Sequence, residues 1–251
     1  MTISGEHLTG RTKNDVTVVQ IRNSNTPFVI QQIFTSFPNL IKLDIQNSNL
    51  QELVLSSEVQ LKYLTLYRNN ISRIENGTFS GQSQLEIIDA MDNRITDIEI
   101  NAFEGLENLY SLMLIGNRIS RILPGTFHPM INLVYLDLEQ NRIERIEDDT
   151  FSGNPALEAL YLEYNVINAI STTFTTGLSK NLEYLNIQGN RCIDRQFALR
   201  EPIDMILLNN ALITCFNNFI GETPAVRRIT LEFSGPLSLF DEFGNIIARV
   251  N

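Results

Sequence analysis

The sequence predicts an α/β-type solenoid, with one parallel β-sheet on a concave side and irregular or short helical segments on a convex side. Three observations predict this fold class. A motif of apolar residues recurs at an almost constant spacing, an asparagine recurs within it, and a second apolar set with a phenylalanine follows it. Repeats of about 20–50 residues are typical of solenoids, in which each unit packs only on its neighbours.

The repeated motif has three apolar positions followed by asparagine and another apolar residue. It starts at Leu61, Leu85, Leu109, Leu133, Leu157 and Leu182, so the spacing is 24 residues until the last unit, where it is 25. Earlier copies start at Val16 and Leu40 and carry serine in place of asparagine, and the copy at Leu40 is a 21-residue unit. The sequence therefore contains eight units.

Each unit begins with alternating apolar residues, which predict a short strand with one buried face. The turn after that strand would leave backbone groups unpaired, at a cost of about 1–3 kcal/mol each. Asparagine both donates and accepts hydrogen bonds, so the column from Asn69 to Asn190 predicts a ladder between neighbouring units. Ser24 and Ser48 replace asparagine only in part, so we expect the first two units to be less regular.

A second apolar set follows each turn and predicts the outer part of the core. An isoleucine precedes a phenylalanine in each copy, and a buried ring of this size covers about 150–250 Å². The members are Ile74, Ile98, Ile122, Ile146 and Ile170, then Phe79, Phe103, Phe127, Phe151 and Phe174.

Together these motifs, over about residues 16–192, resemble the leucine-rich repeat family. The resemblance implies a leucine-rich repeat horseshoe with capped ends. The 24-residue unit with outer isoleucine and phenylalanine is similar to the type common in secreted and cell-surface proteins. The segment Gly189–Asp194 is most similar to secreted arthropod (insect) leucine-rich repeat proteins, some of which serve innate immunity. Those immune proteins continue into long coiled coils, whereas this sequence has no heptad region.

We expect four parts: an N-terminal cap at 1–15, eight repeats at 16–191, a C-terminal cap at 192–220 and an antiparallel β extension at 221–251. Caps cover the cores of the end units. Cys192 and Cys215 resemble a reduced form of the four-cysteine cap of extracellular relatives, which implies a disulfide between them. Buried free thiols in a cytosolic protein are the alternative.

The exposed strand positions of the concave face are rich in tyrosine, methionine and isoleucine, which are typical of interface centres. Ordinary strand formers that stack on one another across units would give the same composition. Acidic residues concentrate in the later units, which favours a protein partner with some basic character. The candidate partner-binding residues are Tyr63, Tyr67, Ile87, Asp89, Met91, Met113, Ile115, Tyr135, Asp137, Glu139, Tyr161, Glu163, Tyr164 and Tyr184.

Composition and missing motifs exclude several function classes. The net charge is −10 and no basic run occurs, which argues against a nucleic-acid partner. No stretch approaches the roughly 20 apolar residues of a membrane span, so membrane insertion is not expected. No catalytic, phosphate-binding or metal-binding motif occurs. We therefore expect neither an enzyme nor a cofactor.

The sequence thus favours an extracellular protein-recognition module, monomeric or weakly dimeric, with a role in innate immunity suggested by the resemblance. The first residues lack the apolar core of a signal peptide, so the chain is expected to be trimmed or, with free thiols, cytosolic. The glycosylation sequons at Asn70 and Asn76 add weak support for secretion. The alternatives are a self-assembling or adhesion module, or a truncated receptor ectodomain, using the C-terminal β edge.

Overall fold

The computed structural model describes residues 12–29, 31–199, 202–222, 237–240 and 246–250. It divides into two compact units, residues 1–219 and 220–251. Most of the predicted N-terminal cap lies outside the described residues, as do residues 223–236 and 241–245 of the predicted extension. The four-part division of the chain therefore stays a prediction.

The described secondary structure consists mainly of short strands. The strands are β1 Val18–Arg22, β2 Lys42–Gln46, β3 Tyr63–Thr65, β4 Arg73–Ile74, β5 Ile87–Asp89, β6 Asp97–Ile98, β7 Ser111–Met113, β8 Tyr135–Asp137, β9 Arg145–Ile146, β10 Ala159–Tyr161, β11 Ala169–Ile170, β12 Tyr184–Asn186, β13 Gln196–Ala198, β14 Leu237–Phe240 and β15 Ile246–Val250. The helices are α1 Gln32–Ser36, α2 Phe174–Gly177, α3 Pro202–Ala211 and α4 Ile213–Glu222, and Lys13–Asp15 forms a 3-10 turn.

A nine-stranded sheet in the order β1-β2-β3-β5-β7-β8-β10-β12-β13 forms the concave side of the first unit. Its neighbouring strands are parallel except β12 and β13, which are antiparallel. In the seven strands of this sheet from β2 to β12, one leucine or isoleucine occupies the same register position and is fully buried, as at Leu64, Leu112 and Leu160. Residues that lie one repeat apart in the sequence are therefore paired in the sheet, and the expected solenoid is confirmed.

The asparagine ladder is confirmed. At Asn69 the side-chain Nδ2 donates to Ile45 O at 2.8 Å and Leu66 O at 2.9 Å, and Oδ1 accepts from the backbone N of Ser48 and Leu50 at 3.0 Å. One amide thus satisfies backbone groups of two units. Equivalent bonds recur at Asn93, Asn117, Asn141, Asn165 and Asn190.

The expectation that the first two units are less regular is wrong for their strands. β1 and β2 have five residues each and pair along their whole length, whereas β3 has three. Ser48 holds this turn, because its Oγ donates to Gln46 O at 2.8 Å and accepts from Ser24 N at 3.3 Å.

Before each ladder position one residue adopts a left-handed backbone with φ between 49° and 69°. These residues are Asn23, Asn47, Arg68, Asp92, Gly116, Gln140, Tyr164 and Gly189. Gly189 also allows a close approach, since a Cβ there would lie 2.7 Å from Tyr164 Cδ1. The turn thus requires a conformation that is strained for a bulky residue such as Tyr164.

The predicted phenylalanines line up behind the sheet as a stack of rings. Successive centroids from Phe79 to Phe174 are 5.8, 6.0, 6.0 and 6.2 Å apart, and the rings are buried. The 21-residue unit interrupts this outer wall, and a cavity of about 500 Å³ lies beside it, lined in part by Phe28 and Val54. Length variation in one unit therefore appears as a gap on the convex side.

The disulfide Cys192–Cys215 is present, with a Cα–Cα distance of 5.2 Å, and Cys215 is fully buried beside Leu208 and Leu212 of the cap core. Arg145 lies over the Phe219 ring at 4.9 Å from its centroid, so α4 also contacts the convex side. In the second compact unit, β14 pairs antiparallel with β15. Within the described ranges, no helix has the length and apolar character to cross a membrane.

Candidate functional site

Three columns of side chains run across the concave face, each defined by the parallel register. The first column is Lys42, Tyr63, Ile87, Ser111, Tyr135, Ala159 and Tyr184. The second column is Asp44, Thr65, Asp89, Met113, Asp137, Tyr161 and Asn186. The third column follows the strand ends and is Gln46, Tyr67, Met91, Ile115, Glu139, Glu163 and Gln188. The residues proposed from the sequence all fall in these columns except Tyr164.

Tyr164 lies one position beyond the third column, in the left-handed turn, and is 55% exposed. Its ring packs over Gly189 of the next unit. Tyr164 therefore belongs to the rim of the concave face.

Three tyrosines of the later units form a continuous row, here called the tyrosine row: Tyr135, Tyr161 and Tyr184. The Tyr161 ring lies between the other two, at centroid distances of 5.0 and 5.2 Å and interplanar angles of 41° and 43°. The small side chain of Ala159 in the first column leaves room for this arrangement. The rings are half-buried, so stacking between units and an accessible aromatic surface coexist.

Asp137 and Glu163 were expected to be exposed, and this expectation is wrong. Their exposed fractions are 3% and 7%. Asp137 is enclosed because it accepts hydrogen bonds from Tyr135 Oη at 2.8 Å and from the backbone N of Glu139 at 3.0 Å. Simple alternation along the strand does not account for large side chains that extend over their neighbours.

The second column has a structural role that the sequence reading missed. Asp89, Asp137 and Asn186 each accept a hydrogen bond from the backbone N–H two residues later, at 3.1, 3.0 and 3.1 Å. This is the Asx pattern, in which a short acidic or amide side chain replaces a backbone partner. The recurrence of Asp or Asn at this position is the signal that identifies it.

The electrostatics of the columns differ between early and late units. Burial raises the pKa of Asp44, but hydrogen bonds from Arg22 at 2.8 Å and Gln20 at 3.0 Å outweigh burial, so the net pKa is lowered. Burial, together with the negative charges of Glu139 and Asp137, raises the pKa of Glu163 to about 7. On the concave face, Asp137, Glu139 and Glu163 form no ion pair with any described residue.

Burial also raises the pKa of Asp137 and of Asp89. In the part of the chain that the structure describes, no group of histidine, cysteine and carboxylate residues could hold a metal ion.

The two sequons differ in how their amides are held. Asn70 Nδ2 donates to Asn49 Oδ1, and the side chain is half-buried. Asn76 is exposed, and its Oδ1 accepts from the backbone N of Asn101 at 3.0 Å. Asn76 is therefore the more accessible of the two.

Two family models match the chain. Residues 83–143 and 131–192 match a model described as Leucine rich repeat, and residues 13–109 match the BspA type Leucine rich repeat region (6 copies). A comparison with curated proteins found no match.

Solved structures share the fold. A chain of the TLR13–ssRNA13 complex is 22% identical with a TM-score of 0.60, covering 68% of this chain and 26% of that chain. A chain of the Toll–Spatzle complex of Drosophila is 24% identical with a TM-score of 0.59, covering 66% and 24%. A chain of the octameric complex of Latrophilin 3, Unc5D and FLRT2 is 26% identical with a TM-score of 0.64, covering 71% and 55%.

This chain therefore spans between about a quarter and about half of the chains that it matches. Together the two family models cover residues 13–192, the part of the chain that contains the repeat motif and the asparagine ladder. Residues 13–192 are therefore built of leucine-rich repeats, the unit that both family models describe.

Proposed function

We propose that the protein is an extracellular recognition module that binds a protein partner through the later units of its concave face. The observation that carries this proposal is the tyrosine row, whose half-buried rings adjoin carboxylates of the second and third columns. Tyrosine gives a large contact area at a low cost in rotamer entropy, and it is enriched in energetically dominant interface positions. The unneutralised carboxylates support a partner that carries basic residues.

Several finer features belong to the same proposal. The disulfide supports secretion, since such bonds persist in oxidising compartments. The accessible Asn76 is the proposed glycosylation site, with Asn70 occupied less because its amide is hydrogen-bonded. The net charge of −10 supports a protein partner over a nucleic acid.

A role in innate immunity follows from the likeness of the 24-residue units to those of secreted arthropod proteins. Toll is one of the structural neighbours, and the Toll–Spatzle complex is a molecular hub in Drosophila development and innate immunity.

The binding proposal is tested by immobilising the protein and quantifying captured proteins from extracellular fluid by mass spectrometry. We expect Tyr135→Ala combined with Tyr161→Ala to reduce capture of the specific partner at least tenfold, which corresponds to about 1.4 kcal/mol. Tyr110→Ala is the matched control, because Tyr110 is exposed but lies outside the three columns. Equal capture by the double variant and the wild type would refute a role of the row.

A self-assembling or adhesion module is the second candidate, because the β14–β15 pair is a two-stranded sheet with edge hydrogen-bonding groups. Size-exclusion chromatography with light scattering distinguishes the candidates. A monomer at micromolar concentration supports the recognition module, and a concentration-dependent dimer that is lost on removal of residues 237–251 supports self-assembly.

A further inference from the structure

Three carboxylates meet on the concave face at the sixth and seventh units: Asp137, Glu139 and Glu163, here called the acidic triad. Glu139 and Glu163 are neighbours in the third column, since the backbone N of Gln140 donates to Glu163 O at 3.0 Å. None of the ion pairs among the described residues includes a member of the triad. Glu163 Oε2 is buried and has no hydrogen-bond partner within the described ranges.

The first units of the chain contain a neutralised version of the same arrangement. Asp44 occupies the same column as Asp137, is similarly buried at 1% exposure, and accepts hydrogen bonds from Arg22 and Gln20 of the preceding unit. The Arg22 guanidinium forms the ion pair, with an Nη2–Oδ2 distance of 2.8 Å. A buried carboxylate at this position of the sheet is therefore compatible with a guanidinium approaching from the concave side.

The preceding unit provides no such group to the acidic triad. Met113 is the register partner of Asp137, as Gln20 is of Asp44. Ile115 stands in the third column where Arg22 stands beside Asp44. Both positions are apolar, so Asp137 lacks the cation from the preceding unit that Asp44 has.

We propose that the acidic triad and the adjoining Tyr161 ring form a subsite for the guanidinium of an arginine side chain supplied by the protein partner. The inference rests on the proposed function and specifies which chemical group of the partner is recognised. A planar guanidinium can bind carboxylates through two parallel hydrogen bonds while its face stacks on an aromatic ring. The chain itself contains such stacking, with Arg68 Cζ at 4.9 Å from the Tyr67 ring centroid.

Access to the subsite begins at its outer edge. Glu139 is half-buried, so its carboxylate meets an incoming cation first, whereas Glu163 lies beneath the surface. Contact with Glu163 therefore requires a shift of a neighbouring side chain. We expect the tyrosine row to make this shift, because its rings are only half-buried and Tyr161 interacts only with the neighbouring tyrosines, through ring contacts with Tyr135 and Tyr184 and a hydrogen bond with Tyr135, among the residues that the structure describes.

Binding is coupled to proton release. Burial and the like charges of Glu139 and Asp137 raise the pKa of Glu163 to about 7. The other titratable groups that face it are Tyr135 and Tyr161, and the neutral Asn186 adjoins it from β12. A guanidinium favours the ionised carboxylate, so affinity falls about tenfold for each pH unit below 7.

The test uses Nα-acetyl-arginine amide as the probe and follows the side-chain carboxyl and tyrosine ring resonances of the isotope-labelled full chain by NMR. We expect saturable shifts at Glu163 and Tyr161, and binding at least tenfold weaker at pH 5.5 than at pH 8. Nα-acetyl-citrulline amide, which has the same shape without the charge, should bind at least tenfold more weakly. Equal binding of the citrulline probe, or shifts confined to other parts of the chain, would overturn the proposal.

Variants of the carboxylates provide a second test of the subsite. Asp137→Asn combined with Glu163→Gln should weaken the arginine probe at least tenfold at pH 8, and Asp97→Asn on the exposed convex side is the matched control. Backbone amide spectra check that each variant is folded. If the double variant proves unfolded, Glu139→Gln serves in its place, with an expected loss of at least threefold. Unchanged affinity in a folded variant contradicts the subsite.

This probe needs no partner protein, so the two proposals can fail separately. If the arginine probe binds but the tyrosine double variant captures as much protein as the wild type, the subsite is supported and the partner-binding function is refuted. If the double variant captures less protein but the arginine probe does not bind, the partner-binding function is supported and the subsite is refuted.

Discussion

Glu163 is a buried carboxyl whose environment disfavours its charge, and its effect on stability depends on pH. Burial raises its pKa from 4.5 in the unfolded chain to about 7 in the folded protein. A raised pKa means that the folded state binds the proton more tightly, so stability is lost as pH rises from about 4.5 through 7.

Glu163→Gln should therefore raise the free energy of unfolding at pH 8 by about 1–2 kcal/mol, with little effect at pH 4.5. Urea denaturation at both pH values measures this difference. Glu158→Gln, at an exposed position of the same unit, is the control and should change stability by less than about 0.5 kcal/mol. A destabilised glutamine variant at pH 8 would show that ionised Glu163 is well accommodated in the free protein.

Gly189 meets two requirements at once, a left-handed backbone with φ of 69° and close approach to the Tyr164 ring. Gly189→Ala should lower the free energy of unfolding by about 2–3 kcal/mol, because both strain and a clash are introduced. Gly77→Ala separates these effects, since Gly77 has φ of 76° but nothing within 4 Å of a Cβ. We expect only about 1 kcal/mol there. Equal losses in thermal or urea denaturation would refute the steric contribution.

At the scale of the structural element, the asparagine ladder joins each turn to its neighbours. Asn141 Nδ2 donates to Leu114 O at 2.9 Å and Leu138 O at 3.1 Å, and its Oδ1 accepts from Ile119 N at 3.1 Å. Asn141→Ala leaves these buried groups unpaired and should cost about 2–4 kcal/mol.

Asn141→Ser should cost less than the alanine variant, because Ser48 shows that a hydroxyl maintains part of the same bonding. Asn132→Ala is the control, since the side-chain hydrogen bond from Asn132 to Glu107 O lies at an exposed position. Urea denaturation ranks the three variants. Equal destabilisation by serine and alanine would contradict partial replacement.

The sequence predicted this level of structure well, because one constraint recurs in every unit. Leucine spacing fixed the strands, and the hydrogen-bonding capacity of asparagine fixed the turns. It predicted the early units less well, since Ser48 holds its turn through hydrogen bonds with Gln46 and Ser24. The secondary-structure propensity of single residues gives no information about such contacts between units.

At the scale of the whole molecule, the C-terminal cap depends on one covalent link between residues 23 apart. Reduction, or Cys192→Ala combined with Cys215→Ala, should destabilise the cap by about 3 kcal/mol. Hydrogen exchange of α3 and α4 measures this loss locally, with the ladder amides of the central units as the internal reference. Unchanged protection of the helices under reducing conditions would contradict a stabilising role.

The candidate site could be predicted from the sequence only in outline. Alternation placed the right residues on the concave sheet, but it treated Asp137 as exposed like its neighbours. The small side chain of Ala159 lets Tyr161 lie between two other rings, and Tyr135 binds the carboxyl of Asp137. Burial within the face thus arises from side-chain size across three units, which a reading of single strands does not capture.

The constant register of the sheet has a consequence for how the length of such a protein can change. Each interior turn meets its neighbours at a fixed offset of one unit along the chain, as in the pairs Leu112↔Leu136 and Leu136↔Leu160. Deletion of one complete interior repeat would bring together two strands whose leucines already have the same register. Deletion of half a repeat would instead shift the register and expose leucines to solvent. The length of the sheet can therefore change by whole repeats with the least disruption of its buried leucines.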